Sequence, residues 1–322
     1  MIIITGAAGF IGSEIAVALN EKGRKDLILV DELEDDLGNC LKSKNLNRIN
    51  YQQYEHKTSF INRIKKNQIT EKIEAIIHMG ACSSTRERNW NFLKENNTEY
   101  SQILASWCLE HDARYIYASS AATYGEGENG FEDNENKIET LVPINLYAKS
   151  KQLMDIWVKE NGYLDKMVGL KFFNVYGPGE CHKEDMRSVA RKAYIEIKKS
   201  QKISLFKSYR PDYKDGDQKR DFVYVKDCAA IVLWFLEHPQ INGIYNVGAG
   251  KARSWNAMAH ALFDHMDLPR HIDYVDMPED LRTQYQYFTE APMGKVKAAG
   301  YKTPMTELEE GIKDYIGYLN KL

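Results

Sequence analysis

The N-terminal half of the chain alternates two hydrophobic patterns. Short runs of consecutive apolar residues occur at Ile2–Thr5, Leu27–Asp31, Ala75–Met79 and Arg114–Ser119. Between them, Phe10–Lys22, Phe60–Asn67 and Asn96–Glu110 place apolar residues at roughly helical spacing. A run such as Leu27-Ile28-Leu29-Val30 is apolar on successive residues, which suits a strand covered on both faces. A β-α-β-α series of this kind predicts a parallel sheet with right-handed crossovers and helices on both sides. A further helix is predicted at Tyr147–Glu160, with a strand at Val168–Phe173. After about Val175 the rhythm becomes less regular, and the polar stretch from Ser208 to Asp217 reads as an exposed loop. The strand-like runs Phe222–Val225 and Ile244–Val247 predict a return to the large sheet.

At 322 residues the chain is long enough for two lobes. Its hydrophobic fraction of 43% and charged fraction of 28% are ordinary for a globular protein. A net charge of −3 gives no general attraction to nucleic acid or to an anionic membrane. Affinity for an anionic ligand must therefore come from local clusters. Cysteines at positions 40, 82, 108, 181 and 228 form an odd set without a CxxC pair, which argues against a disulfide framework or a structural zinc site. The adjacent Cys181-His182 has no second ligand cluster, so free thiols in a reducing compartment and no metal are expected. The first residues carry neither a basic leader nor a long apolar run, and no stretch is membrane-spanning, so the expected location is cytoplasmic.

Ile2–Thr5 leads directly into Gly6-Ala7-Ala8-Gly9-Phe10-Ile11-Gly12, a strand, a glycine-rich turn and a helix start. Glycines permit a tight turn and close approach of the backbone to a pyrophosphate, while the helix N-terminus supplies N–H donors and a favourable dipole. Such spacing alone is a weak signal, and a purely structural turn would explain it often. Here Asp31 ends the next strand, where an acid reads the adenosine ribose, and the combination favours a dinucleotide site in a Rossmann-type sheet. Asp31 and Glu32 suit a free 2′-hydroxyl and hence NAD. Lys42 and Lys57 can instead neutralise the 2′-phosphate of NADP, although each alone is more often a solvated surface residue.

Ser119-Ser120-Ala121-Ala122-Thr123-Tyr124-Gly125 follows a buried-looking strand, so its hydroxyls are expected at the carboxyl edge of the sheet, where ligands bind. Tyr147 and Lys151 lie four apart on a predicted helix and share a face. A phenol with a pKa near ~10 is a poor base at neutral pH. A neighbouring ammonium is expected to favour the phenolate. A lone YxxxK is common on surface helices, but here it occurs in order with the glycine turn and the strand-end serine.

With these motifs the chain resembles the extended short-chain dehydrogenase/reductase family, also described as NAD-dependent epimerases and dehydratases, throughout its length. The resemblance implies a catalytic Ser120, Tyr147 and Lys151. The segments from His78 to Thr85, from Phe173 to Lys183, from Phe206 to Tyr213 and from Lys219 to Val225 narrow the match. They look like the branch that inverts C6″ of ADP-glycero-manno-heptoses, precursors of the lipopolysaccharide inner core. That likeness implies tightly held NADP lined by Gly6, Gly9, Phe10, Ile11, Gly12, Asp31, Glu32, Lys42, Lys57, Met79, Gly80, Ala81, Cys82, Ser83, Asn96, Lys151 and Val175. It implies an ADP-heptose site of Asn174, Phe206, Lys207, Ser208, Tyr209, Arg220 and Tyr285, with Asp185 and Lys192 at further substrate positions and Lys183 as a second acid/base. A homo-oligomer is expected. The chain departs from that branch at Asp185, Lys192 and Glu32, where the branch has serine, histidine and asparagine, and carries extra residues near 35–40. Basic Lys192, Lys207 and Arg220 can neutralise a diphosphate, with arginine offering a bidentate fork; a solvated face is the plain alternative. Tyr285 can equally be core packing.

The expected architecture is therefore α/β. A doubly wound parallel sheet occupies residues 1–175, with segments from about 220–250 returning to it, and a smaller C-terminal α/β lobe occupies 176–322. A UDP-hexose 4-epimerase shares the triad but is not expected to carry His182-Lys183. A 4,6-dehydratase is disfavoured because Ala121-Ala122 stand where that chemistry places an Asp-Glu pair. A non-catalytic NAD(P)-binding regulator tends to lose the tyrosine or lysine retained here.

Overall fold

The computed structural model describes residues 1–33, 42–282 and 285–322, leaving aside the side chains of Glu184, Asp185, Asp280 and Leu281. The segment 35–40 and the side chain of Asp185 thus lie outside the described residues. Twelve strands are described: β1 (Ile2–Thr5), β2 (Leu27–Asp31), β3 (Gln53–His56), β4 (Ala75–His78), β5 (Arg114–Ser120), β6 (Val168–Phe172), β7 (Asn174–Tyr176), β8 (Ile203–Phe206), β9 (Lys219–Tyr224), β10 (Gly243–Val247), β11 (Ala252–Ser254) and β12 (Ile272–Val275). Seven of them form an all-parallel sheet in the order β10-β6-β5-β4-β1-β2-β3.

Strand alternation decides what each residue of β1 buries. Ile2 and Ile4 enter the core beneath helices α1 (Phe10–Glu21) and α7 (Val225–Glu237), whereas Ile3 enters the opposite core. That second core is covered by α2 (Lys57–Lys65), α4 (Tyr100–Glu110) and α5 (Leu146–Glu160). Strand order reverses between β1 and β4, so a crevice opens at their carboxyl ends.

The helix expected from Asn96 begins earlier. A short α3 (Trp90–Leu93), capped by Asn89, passes through a π-helical stretch at Lys94–Glu99 into α4. Asn97 in that stretch is fully buried and spends its amide on the backbone of Cys82 and on Ser150 Oγ at 2.8–3.0 Å. Helical periodicity carries no signal for such a bulge.

The second lobe holds a β11-β9-β7 sheet and a β12-β8 pair. These pack with α6 (Val189–Ser200), α8 (Trp255–His265) and the C-terminal helix Leu308–Leu319 around Tyr194, Ile197, Phe263, Ile312 and Tyr315. Here one expectation is corrected. Gly243–Val247 does return to the large sheet, but the Phe222–Val225 run does not. It forms β9, parallel to β7, and then turns into α7. Phe222 and Tyr224 face the core of the small lobe while Val223 faces that of the large one. The strand is apolar on consecutive residues because it lies between two cores, not because it is central to one sheet. No helix among the described residues is long and apolar enough to cross a membrane.

Candidate active site

A cavity of about 860 Å³ opens along the crevice and extends between the lobes. At its floor the Gly6 backbone has φ +65°, and a Cβ there would sit 2.7 Å from Gly80 N. A Cβ at Gly12 would meet the Gly6 carbonyl at 2.1 Å. β1, the turn and α1 therefore close on one another only with glycine at both positions. Gly9 caps α1 without a side-chain hydrogen bond, so first-turn N–H groups remain available to an anion. These features fit a dinucleotide pyrophosphate.

At the end of β2, Asp31 is nearly buried and accepts from Ala8 N at 2.8 Å and Glu32 N at 2.7 Å. Lys42 pairs with the same carboxylate and donates to the Glu32 carbonyl at 2.9 Å. Lys57 pairs with Glu32, and its hydrogen bond holds that carboxyl below the usual range. Both lysines line a small cleft beside Asp31, as does Asn96, and each arrives with a carboxylate partner.

On the catalytic wall, Ser120 ends β5 and its Oγ accepts from Ala122 N at 3.1 Å. It also hydrogen-bonds the Tyr147 phenol. Its neighbour Ser119 also lines the cavity, but its hydroxyl is engaged elsewhere. That Oγ donates to Asp155 at 2.7 Å in the core, because successive strand residues point to opposite faces. Tyr147 and Lys151 do share one face of α5, which Asn145 caps through Ala148 N at 2.8 Å.

The Tyr147 phenol is shifted up, not down. Burial is the largest influence on Tyr147 and pushes its pKa up, opposed only by the Ser120 hydrogen bond. Lys151 is 3% exposed and spends a proton on the Ala118 carbonyl at 2.7 Å. Burial lowers its pKa to about 8, with Asp155 opposing. Behind this wall Lys171 bridges Asp155 at 2.6 Å and Thr123 Oγ1 at 2.7 Å, and Thr123 donates to the Ser120 carbonyl at 2.8 Å.

The opposite wall carries Lys183, in a turn at Cys181–Met186. Its Nζ lies 5.4 Å from the centroid of the Phe10 ring, and burial lowers its pKa against the pull of Glu180. Met79, Gly80, Ala81, Cys82, Ser83, Asn174 and Val175 line the same cavity. Arg220 sits just behind, 8% exposed, with its guanidinium 5.6 Å from the Trp255 ring and 5.4 Å from that of Tyr285.

Several expected substrate residues do not line the cavity. Phe206 packs edge-on against Tyr285, Lys207 pairs with Asp276 at 3.3 Å, and Tyr209 donates to Asp276 at 3.0 Å. Ser208 is tied through its N–H to Asp215 at 2.7 Å. Lys192 is exposed, because α6 buries Ala190, Ala193, Tyr194 and Ile197 on its other face.

Trp255, Gln286 and Thr289 line the cavity without having been foreseen. Gln286 donates to the Gly125 carbonyl at 2.9 Å, and Thr289 accepts from Asp221 N at 3.2 Å. These contacts join segments far apart in sequence, and no local pattern marks them.

Residues 2–248 match the NAD dependent epimerase/dehydratase family. An ADP-L-glycero-D-manno-heptose-6-epimerase of Nitratidesulfovibrio vulgaris is 49% identical over 316 residues, covering 98% of this chain and 97% of its own length. Its counterpart from Fusobacterium nucleatum is 43% identical, covering 100% of this chain and 98% of its own. The crystal structure of the Helicobacter pylori ADP-L-glycero-D-manno-heptose-6-epimerase has a TM-score of 0.84 at 28% identity, covering 100% of this chain and 96% of that one. With a family match across most of its length and relatives that share almost half its residues, the chain belongs to the NAD dependent epimerase/dehydratase family.

Proposed function

We propose that this protein interconverts ADP-D-glycero- and ADP-L-glycero-β-D-manno-heptose at C6″, with NADP as its resident cofactor, in the supply of heptose for the lipopolysaccharide core. The observation that carries this reading is that Tyr147 and Lys183 line one cavity from different lobes, with the glycine cradle at its floor. The named relatives are the second support.

In this reading the Gly6–Gly12 turn and the N-terminus of α1 hold the pyrophosphate, Asp31 and Glu32 the adenosine ribose, and Lys42 and Lys57 the 2′-phosphate. When bound, the nicotinamide takes up and returns the hydride at C6″. Lys151 positions its ribose, and Ser120 donates a hydrogen bond to the substrate oxygen. Tyr147 or Lys183 removes the proton of the C6″ hydroxyl as the hydride leaves, and the other supplies the proton when the hydride returns. The two epimers direct their hydroxyls differently, which is why two acid/bases are needed. Asn174, Arg220 and Tyr285 hold the sugar nucleotide. Residues 1–175 with α7 and β10 form the cofactor-binding unit, and most of 176–322 forms the substrate lobe. The same reading carries a cytoplasmic homo-oligomer, checked by light scattering.

The test is incubation of the purified protein with ADP-D-glycero-β-D-manno-heptose, following the epimer ratio by NMR. Conversion without added cofactor is expected, and the Lys183→Ala variant should slow it at least about a hundredfold. Absence of conversion even with NADP and NAD supplied overturns the substrate. Unchanged epimerisation by Lys183→Ala removes the second acid/base.

A further inference from the structure

The loop that carries Lys183, residues 177–188, is closed by a buried carboxylate. Glu180 is 0% exposed and accepts four hydrogen bonds. Its Oε1 receives Gly177 N at 3.3 Å, Ser188 Oγ at 2.7 Å and the Tyr315 phenol at 2.8 Å, and its Oε2 receives Ser188 N. Gly177 and Ser188 are the two ends of the loop, so Glu180 fastens it into a ring. Inside the ring, Lys183 N donates to the Glu180 carbonyl at 3.0 Å and Arg187 Nε to the Cys181 carbonyl at 2.9 Å. Ser188 Oγ also accepts from Arg191 N at 3.1 Å, which starts α6 at the point where the ring ends.

None of these four donors is a cation. Burying a carboxylate on such donors is costly even with the Lys183 amine nearby, whereas an apolar side chain would fill the same space without that cost. What the carboxylate adds is direction: its oxygens are satisfied only while both loop ends and Tyr315 are in place. Tyr315 is 1% exposed and belongs to the C-terminal helix, none of whose residues line the cavity. That helix is fixed independently. A Cβ at Gly311 would lie 2.0 Å from Tyr176 Oη, Tyr224 donates to Asp314, and Lys226 pairs with Asp314 at 2.7 Å.

We propose that Glu180 and Tyr315 are positioning residues that latch the Lys183 loop closed over Phe10, so that the C-terminal helix aims the second acid/base from outside the cavity. This rests on the role proposed above for Lys183. Tyr315→Phe removes one hydroxyl and is expected to lower kcat about tenfold with little change in KM. In a Lys183→Ala background it should add no further loss, because it acts through that amine. Glu180→Gln places an amide where only donors converge and should cost more. If Glu180→Gln does not fold, Tyr315→Phe keeps the test open.

A readout free of sugar chemistry is trypsin cleavage after Lys183 and Arg187 in the protein as purified. Both variants should speed it about tenfold, whereas Lys226→Ala, which removes a different tie to the same helix, should leave it unchanged. Unchanged cleavage in an active epimerase overturns the latch, as does a Tyr315→Phe effect that is fully additive with Lys183→Ala. A protein that turns over no ADP-heptose but shows Tyr315-dependent cleavage supports the latch and overturns the substrate.

Discussion

Replacing Lys171 by methionine isolates the buried charge behind the catalytic wall. The side chain keeps nearly the same volume, so the change is mainly electrostatic. Asp155 is 0% exposed and keeps the Tyr117 hydroxyl at 3.0 Å and the Ser119 hydroxyl at 2.7 Å, but loses its ammonium partner. Breaking a fully buried ion pair from one side costs about 3–5 kcal/mol. Asp155→Asn combined with Lys171→Met removes both charges and leaves an acceptor oxygen for the two hydroxyls, so it should recover at least about half of that loss.

The sign with pH follows from the unpaired carboxyl. Burial would raise its folded-state pKa above the unfolded value, so the folded variant would bind the extra proton. The deficit should therefore be largest at about pH 8 and shrink toward about pH 5. Urea unfolding of wild type, single and double variants at both values measures this. A deficit below about 1 kcal/mol, or one independent of pH, would refute the reasoning.

Lys151→Met should end turnover yet stabilise the chain. The folded-state pKa of about 8 lies below the ordinary 10.5, so the folded protein binds fewer protons between those values and gains stability as pH rises through them. The variant's advantage, up to about 3 kcal/mol, should thus be full below pH ~8 and vanish toward ~10.5, as denaturation midpoints across pH will report. Glu32→Asn removes a carboxylate paired with Lys57 and should raise the ratio of NADP to NAD affinity about fivefold, read by fluorescence titration of each nucleotide; an unchanged ratio counts against the phosphate role of Lys57. Gly6→Ala forces a Cβ to 2.7 Å from Gly80 N at φ +65°, and the purified variant should retain no nicotinamide after gel filtration.

The hydrophobic pattern alone determined much of the large sheet. Ile2, Ile3 and Ile4 had to be buried on both sides, and the glycines after Thr5 had to turn the chain before α1. The shared face of Tyr147 and Lys151 follows from 3.6 residues per turn, and Ser120 from its place at the end of a dry strand. These are local properties, and local periodicity reports them faithfully.

Tertiary structure decided the rest. Lys171 sits in a run, Val-Gly-Leu-Lys-Phe, whose pattern marks a buried strand but names no partner for the charge. Phe222–Tyr224 looked like a strand of the large sheet because an element between two cores is apolar on both faces wherever it lies. The lysine pairs at Asp31 and Glu32, the raised phenol of Tyr147 and the hold of Tyr315 on Glu180 join segments up to 135 residues apart. A sequence records which face of an element is dry. Which charge meets which, and in how little water, depends on where distant segments come to rest, and that is set only when the chain has packed.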